Sequence, residues 1–332
     1  RLAVEGRRVL VAWIAATEER ATKFLGFGPP PNPILLARSD DGGRTFSPPV
    51  TVSEPNRLAV QPTLLAGPSG QVVVGALDLV DDRFTYQTAH EGRPGPAPPG
   101  PWRLVLWRSV DGGATFGPAA TVAEGVVPPQ RVLIDLAPAP AFALDPARGR
   151  TYAAWETGRD VMLSRSDDGG TTWSPPRRVG PAAGGQFLPG VAVAPDGRVD
   201  VAYLDRSRDP DDVLAEVVLA SSSDGGKSFV GKVVSERFDS MVGSFTGEDV
   251  MLGSHVAVVA QPATTTVVWP DTTRGNRTTN VVDLVSATVE VRAGGRPRVP
   301  IVAGGALLLA SAIALPWLGS TARRGERPAR RR

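Results

Sequence analysis

The sequence predicts an all-β chain built of stacked four-stranded sheets, on three observations. One short pattern, Ser-x-Asp-Gly-Gly-x-Thr/Ser-aromatic, occurs four times, at Ser39 to Phe46, Ser109 to Phe116, Ser166 to Trp173 and Ser222 to Phe229. Counted between their aspartates, the copies stand 70, 57 and 56 residues apart, the length of one four-stranded unit with its loops. The third observation is compositional: 37 Gly and 32 Pro in 332 residues, with 42% hydrophobic residues, suit one large domain rich in turns.

Each position of the pattern has a physical reason. The paired glycines, ending at Gly43, Gly113, Gly170 and Gly226, supply positive φ without a Cβ penalty. Asp41, Asp111, Asp168 and Asp224 can accept hydrogen bonds from backbone N–H groups further along the turn, and Ser39, Ser109, Ser166 and Ser222 complete it. Phe46, Phe116, Trp173 and Phe229 are the repeated apolar anchors expected between neighbouring sheets.

A strand precedes each copy: VLVAW (9–13), VVVGALD (72–78), TYAAWE (151–156) and VDVAYLD (199–205), with TTVVWPD (265–271) as a fifth. These read as the second strands of five units. A shorter first strand and a turn come before the later ones. A third strand, the pattern and a fourth strand of the type PPVTV (48–52) come after. The fifth unit, about 255–292, lacks the pattern, and the Pro-rich stretches at 92–102 and 128–129 read as loops. Strand-end aromatics Trp13, Trp155, Tyr203 and Trp269 are read as packing between units.

The four copies resemble the Asp box, or BNR repeat, of sialidase-like β-propellers. That resemblance covers roughly residues 1–292 and implies a propeller of six blades, one lying upstream of the five visible ones or built irregularly; a five-bladed ring is the alternative. The propeller is assigned to 1–294. The chain starts with Arg, so a missing N-terminal segment with its export signal is expected. Gly6-Arg7-Arg8 imitates a twin-arginine signal, but its apolar core is short and matches the repeated strand.

With no cysteine, and only His90 and His255, the chain excludes disulfide scaffolds, thiol catalysis and Cys/His zinc sites. No metal and no cofactor is implied; Asp209-Pro210-Asp211-Asp212 reads as a solvated acidic turn. The isoelectric point near 9.3 comes from the tail at 320–332, where six Arg face one Glu. Removing that +5 from the chain's +2 leaves about −3 for the rest, which argues against nucleic acid. Residues 299–319 are an uncharged, mostly apolar run of the length of a membrane-spanning helix. The basic tail after it is expected in the cytoplasm and the propeller outside, in a bacterial cell membrane.

Strand alternation puts the boxes on one face and the loops after the second strands on the other, where propellers carry function. Those loops repeat an acid and an arginine: Asp78 with Arg83, Glu156 with Arg159, Asp205 with Arg206 and Arg208, Asp271 with Arg274. Loops between units add Arg57, Arg131, Asp135, Arg237, Glu248 and Asp249. Guanidinium forks suit a carboxylate ligand, and Arg159, Arg206, Asp271 and Arg274 are the ligand-binding candidates; the bland alternative is that each pair pins its own loop. Sialidase resemblance implies an arginine triad, a Tyr nucleophile with a Glu partner, and an Asp acid/base. Yet Arg-Ile-Pro is absent and no tyrosine follows residue 230, so Tyr203, Asp205, Glu248 and Asp249 stand as catalytic candidates only. The expectation is a non-catalytic, membrane-anchored extracellular propeller that binds a glycan or protein partner. The alternative is an exo-acting glycoside hydrolase.

Overall fold

Five antiparallel sheets follow one another along the chain in the computed structural model, which describes residues 1–15, 33–54, 57–80, 102–127, 139–181, 185–242, 252–253 and 255–291. The first holds β1 (Leu2–Glu5), β2 (Arg8–Ile14), β3 (Ile34–Ser39) and β4 (Val50–Thr51) in sequence order. The second holds β5 (Ala59–Ala66), β6 (Val72–Asp78), β7 (Trp102–Ser109) and β8 (Ala120–Val126). The third is β9 (Ala141–Asp145), β10 (Arg150–Thr157), β11 (Asp160–Ser166) and β12 (Arg177–Arg178). In the fourth, β13 (Gln186–Val193), β14 (Val199–Asp205), β15 (Leu214–Ser222) and β16 (Val230–Val233) are joined by β17 (Phe238–Asp239), which pairs with β15. The fifth has three strands, β18 (Ala257–Ala260), β19 (Thr264–Asp271) and β20 (Asp283–Glu290).

The second strands fall where the apolar runs put them, at 72–78 and 199–205 to the residue. First strands are not uniformly shorter, as expected from sequence. β5 and β13 have eight residues each because both carry a bulge, between Val60 and Thr63 and between Phe187 and Gly190. At each bulge a non-glycine residue with positive φ precedes a proline: Gln61 (φ 52) before Pro62 and Leu188 (φ 56) before Pro189. Proline has no N–H for the ladder, so pairing breaks there and the extra residue turns out of register.

Consecutive first strands contact one another, β1 to β5, β5 to β9, β9 to β13 and β13 to β18, so they form the inner edge of the stack. Alternation along each strand sends side chains into the gaps between sheets. Leu10, Leu36, Val72 and Trp107 fill the first gap, Leu104, Leu106, Phe142 and Trp155 the second. Tyr152, Leu163, Val201 and Tyr203 fill the third, and Leu204, Val217, Val267 and Trp269 the fourth. Trp155, Tyr203 and Trp269 therefore pack between sheets, as read from sequence.

All four boxes have one geometry. In the third, Ser166 Oγ donates to Asp168 Oδ1 (2.7 Å) and accepts from Gly170 N (2.7 Å); Thr171 N and Thr172 N donate to Asp168 Oδ1, and Thr172 Oγ1 donates to Oδ2. These donors hold the Asp168 carboxyl well below the ordinary carboxylate range, Thr172 most of all. Phe116, Trp173 and Phe229 are half-buried, each against the core shared with the preceding sheet. Phe46 departs from expectation at 46% exposure, in the sheet that has none before it in the described chain.

A second device links the boxes. The arginine just before a box serine reaches the next sheet's box: Arg38 Nη1 donates to Asp111 O (3.2 Å), Arg108 Nη1 to Gly169 O (3.3 Å), and Arg165 Nη1 to Gly225 O (3.0 Å). Before the fourth box this position is Ser221, and the fifth sheet has no box. There Arg198, buried to 4% exposure, bonds Asp200 and the backbone oxygens of Gln261 and Pro262 instead.

No helix among the described residues is long and apolar enough to cross a membrane. Residues 299–319 and the basic tail lie outside the described residues, as do Glu248, Asp249, Arg83, Arg131 and Asp135.

Candidate functional site

On the face away from the boxes, each acid that ends a second strand meets its loop in the same way, with one exception. Asp78 accepts from Val80 N (3.1 Å), Asp205 from Ser207 N (2.7 Å) and Asp271 from Thr273 N (2.8 Å). All three close an Asx-type turn on the residue two further on. Their carboxylates are thus committed: Asp78 also takes Arg57 (2.7 Å) and Asp271 takes Trp269 Nε1 (3.1 Å). This assigns Asp271 and Asp205 to shaping loops.

Glu156 holds the same place in the third sheet and behaves differently. One methylene longer, it leaves its own loop and accepts from Leu188 N (3.1 Å), the N–H that the β13 bulge turns out of the ladder. The carboxyl is half-buried, at the inner edge between the third and fourth sheets. Burial dominates there and pushes it from 4.5 to about 8, against the pull of the Leu188 N–H and the nearby Arg206 charge. At neutral pH Glu156 is therefore a carboxylic acid that can donate a hydrogen bond.

Arg206 begins the loop after β14. Its position is fixed by Gly185, whose carbonyl accepts from Arg206 N (2.8 Å) and whose φ of 78° brings it against that loop; a Cβ there would lie 2.8 Å from Ser207 N. The guanidinium lies over the Phe187 ring, 5.0 Å to the centroid. Nη1 donates to Asp212 O (3.1 Å) and approaches Met241 Sδ (3.7 Å). Nε has no hydrogen bond but stands 3.5 Å from Asp212 Oδ1, the oxygen that also takes Arg159 Nη2 at 2.7 Å. Nη2 makes no hydrogen bond among the described residues. Burial lowers the Arg206 guanidinium below its usual value, while Asp212 and Glu156 pull it back.

The acid and arginine pairs read from sequence are thus re-sorted. Arg159 and Arg206 come together, joined through Asp212 rather than through Glu156 and Asp205. Arg208 and Arg237 both go to Glu216 (2.9 and 2.8 Å). Arg274, 67% exposed, stands 3.9 Å from Asp283 and apart from this cluster's bonds. Asp209 is used up by Val213 N and Leu214 N (2.8 Å each), and no group of three metal-binding side chains occurs among the described residues. Tyr203 is fully buried with an unpartnered hydroxyl; burial first, then the Asp205 charge, raises its phenol, the wrong direction for a nucleophile. His255 is pushed down to about 4, foremost by burial, and is neutral at physiological pH.

The bulge that delivers Leu188 N was not read from sequence. Its signal was present: a bulky residue followed by proline inside an apolar strand, at Gln61-Pro62 and again at Leu188-Pro189.

No family model matches the chain and no curated protein matches it. Solved structures with a similar fold include a Hadza microbial sialidase, at 15% identity and a TM-score of 0.44 over 76% of this chain and 52% of that one. The intramolecular trans-sialidase from Ruminococcus gnavus matches at 13% identity and a TM-score of 0.46, over 88% of this chain and 84% of that one. An α-L-arabinofuranosidase from Fusarium graminearum matches at 11% identity and 0.49, over 85% and 72%. The fold is all-β, five antiparallel sheets of three to five strands that follow one another and meet through their first strands. The chain spans about half the length of the Hadza enzyme. In this arrangement the site lies between the third and fourth sheets on the face opposite the boxes.

Proposed function

We propose that this propeller is a non-catalytic binding protein that takes an acidic glycan at the Glu156–Arg206 site, held at a cell membrane by a helix over 299–319. In this reading the propeller faces outward and the tail at 320–332 lies in the cytoplasm. The observation that carries the binding site is the departure of Glu156 from the turn-closing role of Asp78, Asp205 and Asp271. It puts a carboxyl raised by burial within the field of Arg206, whose guanidinium lies over Phe187 and whose Nη2 makes no hydrogen bond among the described residues. Such a set offers a charge-assisted bond to a carboxylate and a donor for a hydroxyl.

Tyr203 is the single tyrosine on the appropriate strand end, and its sealed hydroxyl favours binding over sialidase-type turnover. The test is a glycan microarray probed with the full chain in lipid nanodiscs. Wild type should retain acidic glycans, Arg206→Ala should lose them, and Arg44→Ala on the box face should keep them. Equal retention by Arg206→Ala would refute the site.

One observation favours the hydrolase reading: a carboxyl protonated at neutral pH is what a general acid requires. Release of 4-nitrophenol from aryl glycosides, abolished by Glu156→Gln, would establish it.

A further inference from the structure

Resting on the binding reading above, we propose that a ligand carboxylate binds between Arg159 and Arg206 by displacing the carboxylate of Asp212, which holds that place in the free chain. The two guanidinium groups come from different sheets. Arg159 stands in the turn between β10 and β11 and Arg206 opens the loop after β14, yet both approach one oxygen, Asp212 Oδ1, at 2.7 and 3.5 Å. Backbone bonds from the residues leading into β13 set this spacing: Gln186 N donates to Arg159 O (3.0 Å), and Gly185 O accepts from Arg206 N (2.8 Å). Neither bond uses the Asp212 side chain.

Asp212 serves the two arginines unevenly. Its Oδ1 accepts from Arg159, but Arg206 Nε is buried and makes no hydrogen bond, and Oδ2 takes none among the described residues. A carboxylate on a free molecule can turn to give one oxygen to each guanidinium, whereas that of Asp212 hangs one methylene from a fixed backbone. Asp212 N donates to Asp209 O (3.1 Å), Asp212 O accepts from Arg206 Nη1 (3.1 Å), and Asp209 Oδ2 holds Val213 N and Leu214 N (2.8 Å each). The loop therefore keeps its shape when the Asp212 carboxylate swings off by rotation about Cα–Cβ. That carboxylate is 39% exposed, beside an Arg159 side chain that is 60% exposed, so the exchange takes place in contact with solvent. Asp209, committed to two N–H groups, does not replace it. Asp212 lies at φ 56°, where asparagine is as much at ease as aspartate, so the turn alone does not call for the charge.

An exposed ion pair of this kind keeps its closed form ahead by about fivefold, and the apparent affinity for a competing carboxylate is lowered by about the same factor. The experiment is isothermal titration calorimetry of the full chain in nanodiscs with D-glucuronate and with N-acetylneuraminic acid, D-glucose serving as uncharged control. Asp212→Asn should bind both acid sugars about fivefold more tightly than wild type, with no gain for glucose. Asp212→Ser, which also removes the charge, gives the same comparison should the asparagine variant fold poorly. Arg159→Gln should bind the acid sugars more weakly than wild type, because one arm of the site is gone. If the Arg159–Asp212 pair only braces its loops, Asp212→Asn will bind as wild type does or more weakly; that result would overturn the displacement and leave the binding reading standing. Failure of wild type and of both Asp212 variants to bind either acid sugar would overturn the displacement and the binding reading together.

Discussion

Replacing Trp173 by Ala, and separately Phe46 by Ala, tests whether the box aromatics hold neighbouring sheets together. Trp173 packs half-buried on the core between the second and third sheets, edge-on to Phe142 with centroids 6.4 Å apart, and its Nε1 donates to Gly170 O at 3.3 Å. A fully buried Trp→Ala change costs about 3–5 kcal/mol. Half that burial, with about 1 kcal/mol for the ring pair and under 1 for the long hydrogen bond, gives a loss of about 2.5–4.5 kcal/mol. Phe46, 46% exposed and outside any core cluster, should cost about 0.5 kcal/mol. In thermal unfolding of the full chain, at about 2–4 °C per kcal/mol, Trp173→Ala should lower Tm by about 5–18 °C and Phe46→Ala by about 1–2 °C. Equal losses would mean that these rings brace their own turns, and the interface argument would fail.

Other consequences are open to the same measurement. Glu156→Gln should stabilise the protein. The native carboxyl's pKa is raised from 4.5 to about 8, so the native state holds a proton that the unfolded chain releases. Wild-type stability therefore falls as pH rises from about 4.5 to 8 and is level above. At about 1.36 kcal/mol per unit, discounted for partial exposure, the variant's advantage should reach about 2–3 kcal/mol by pH 8; a constant difference across that range would count against the buried acid. Asp168→Asn should act oppositely. Its depressed carboxyl stabilises the fold above the unfolded pKa near 4, so the gap to wild type should be full at pH 7 and close as pH falls below about 4. Arg198→Ala strands Asp200, which is fully buried, and should cost about 3–5 kcal/mol. Arg165→Ala, whose partner Asp167 is half in water, should cost about 1 kcal/mol.

The fold was largely legible because its strongest constraints are local. Gly-Gly at positive φ, an aspartate that accepts several N–H bonds, and apolar runs between them leave little freedom, and β6 and β14 fall at the expected residues. Arginine partners were not legible. The sequence places Asp78, Asp205 and Asp271 beside arginines, but each first satisfies the N–H two residues on, and the arginines find other acids, Arg206 with Asp212, Arg208 with Glu216 and Arg274 nearest Asp283. Arg57 goes to Glu54 and Asp78, and Arg277 to Asp239. Asp212, read only as part of an acidic turn, is the residue that joins Arg159 and Arg206. The site's one sequence signal was Glu156 where the repeat has aspartate, and its meaning depended on a bulge 32 residues away at Leu188.

Carboxyl NMR on the full chain, labelled with 13C at the glutamate side-chain carboxyl, tests the account most directly. One resonance, absent from Glu156→Gln, should titrate near pH 8, and its midpoint should move higher in Arg206→Ala, where the favourable charge is gone. A midpoint near 4.5, or one indifferent to Arg206, would show that Glu156 is an ordinary solvated acid and that the Glu156–Arg206 pair is not the site.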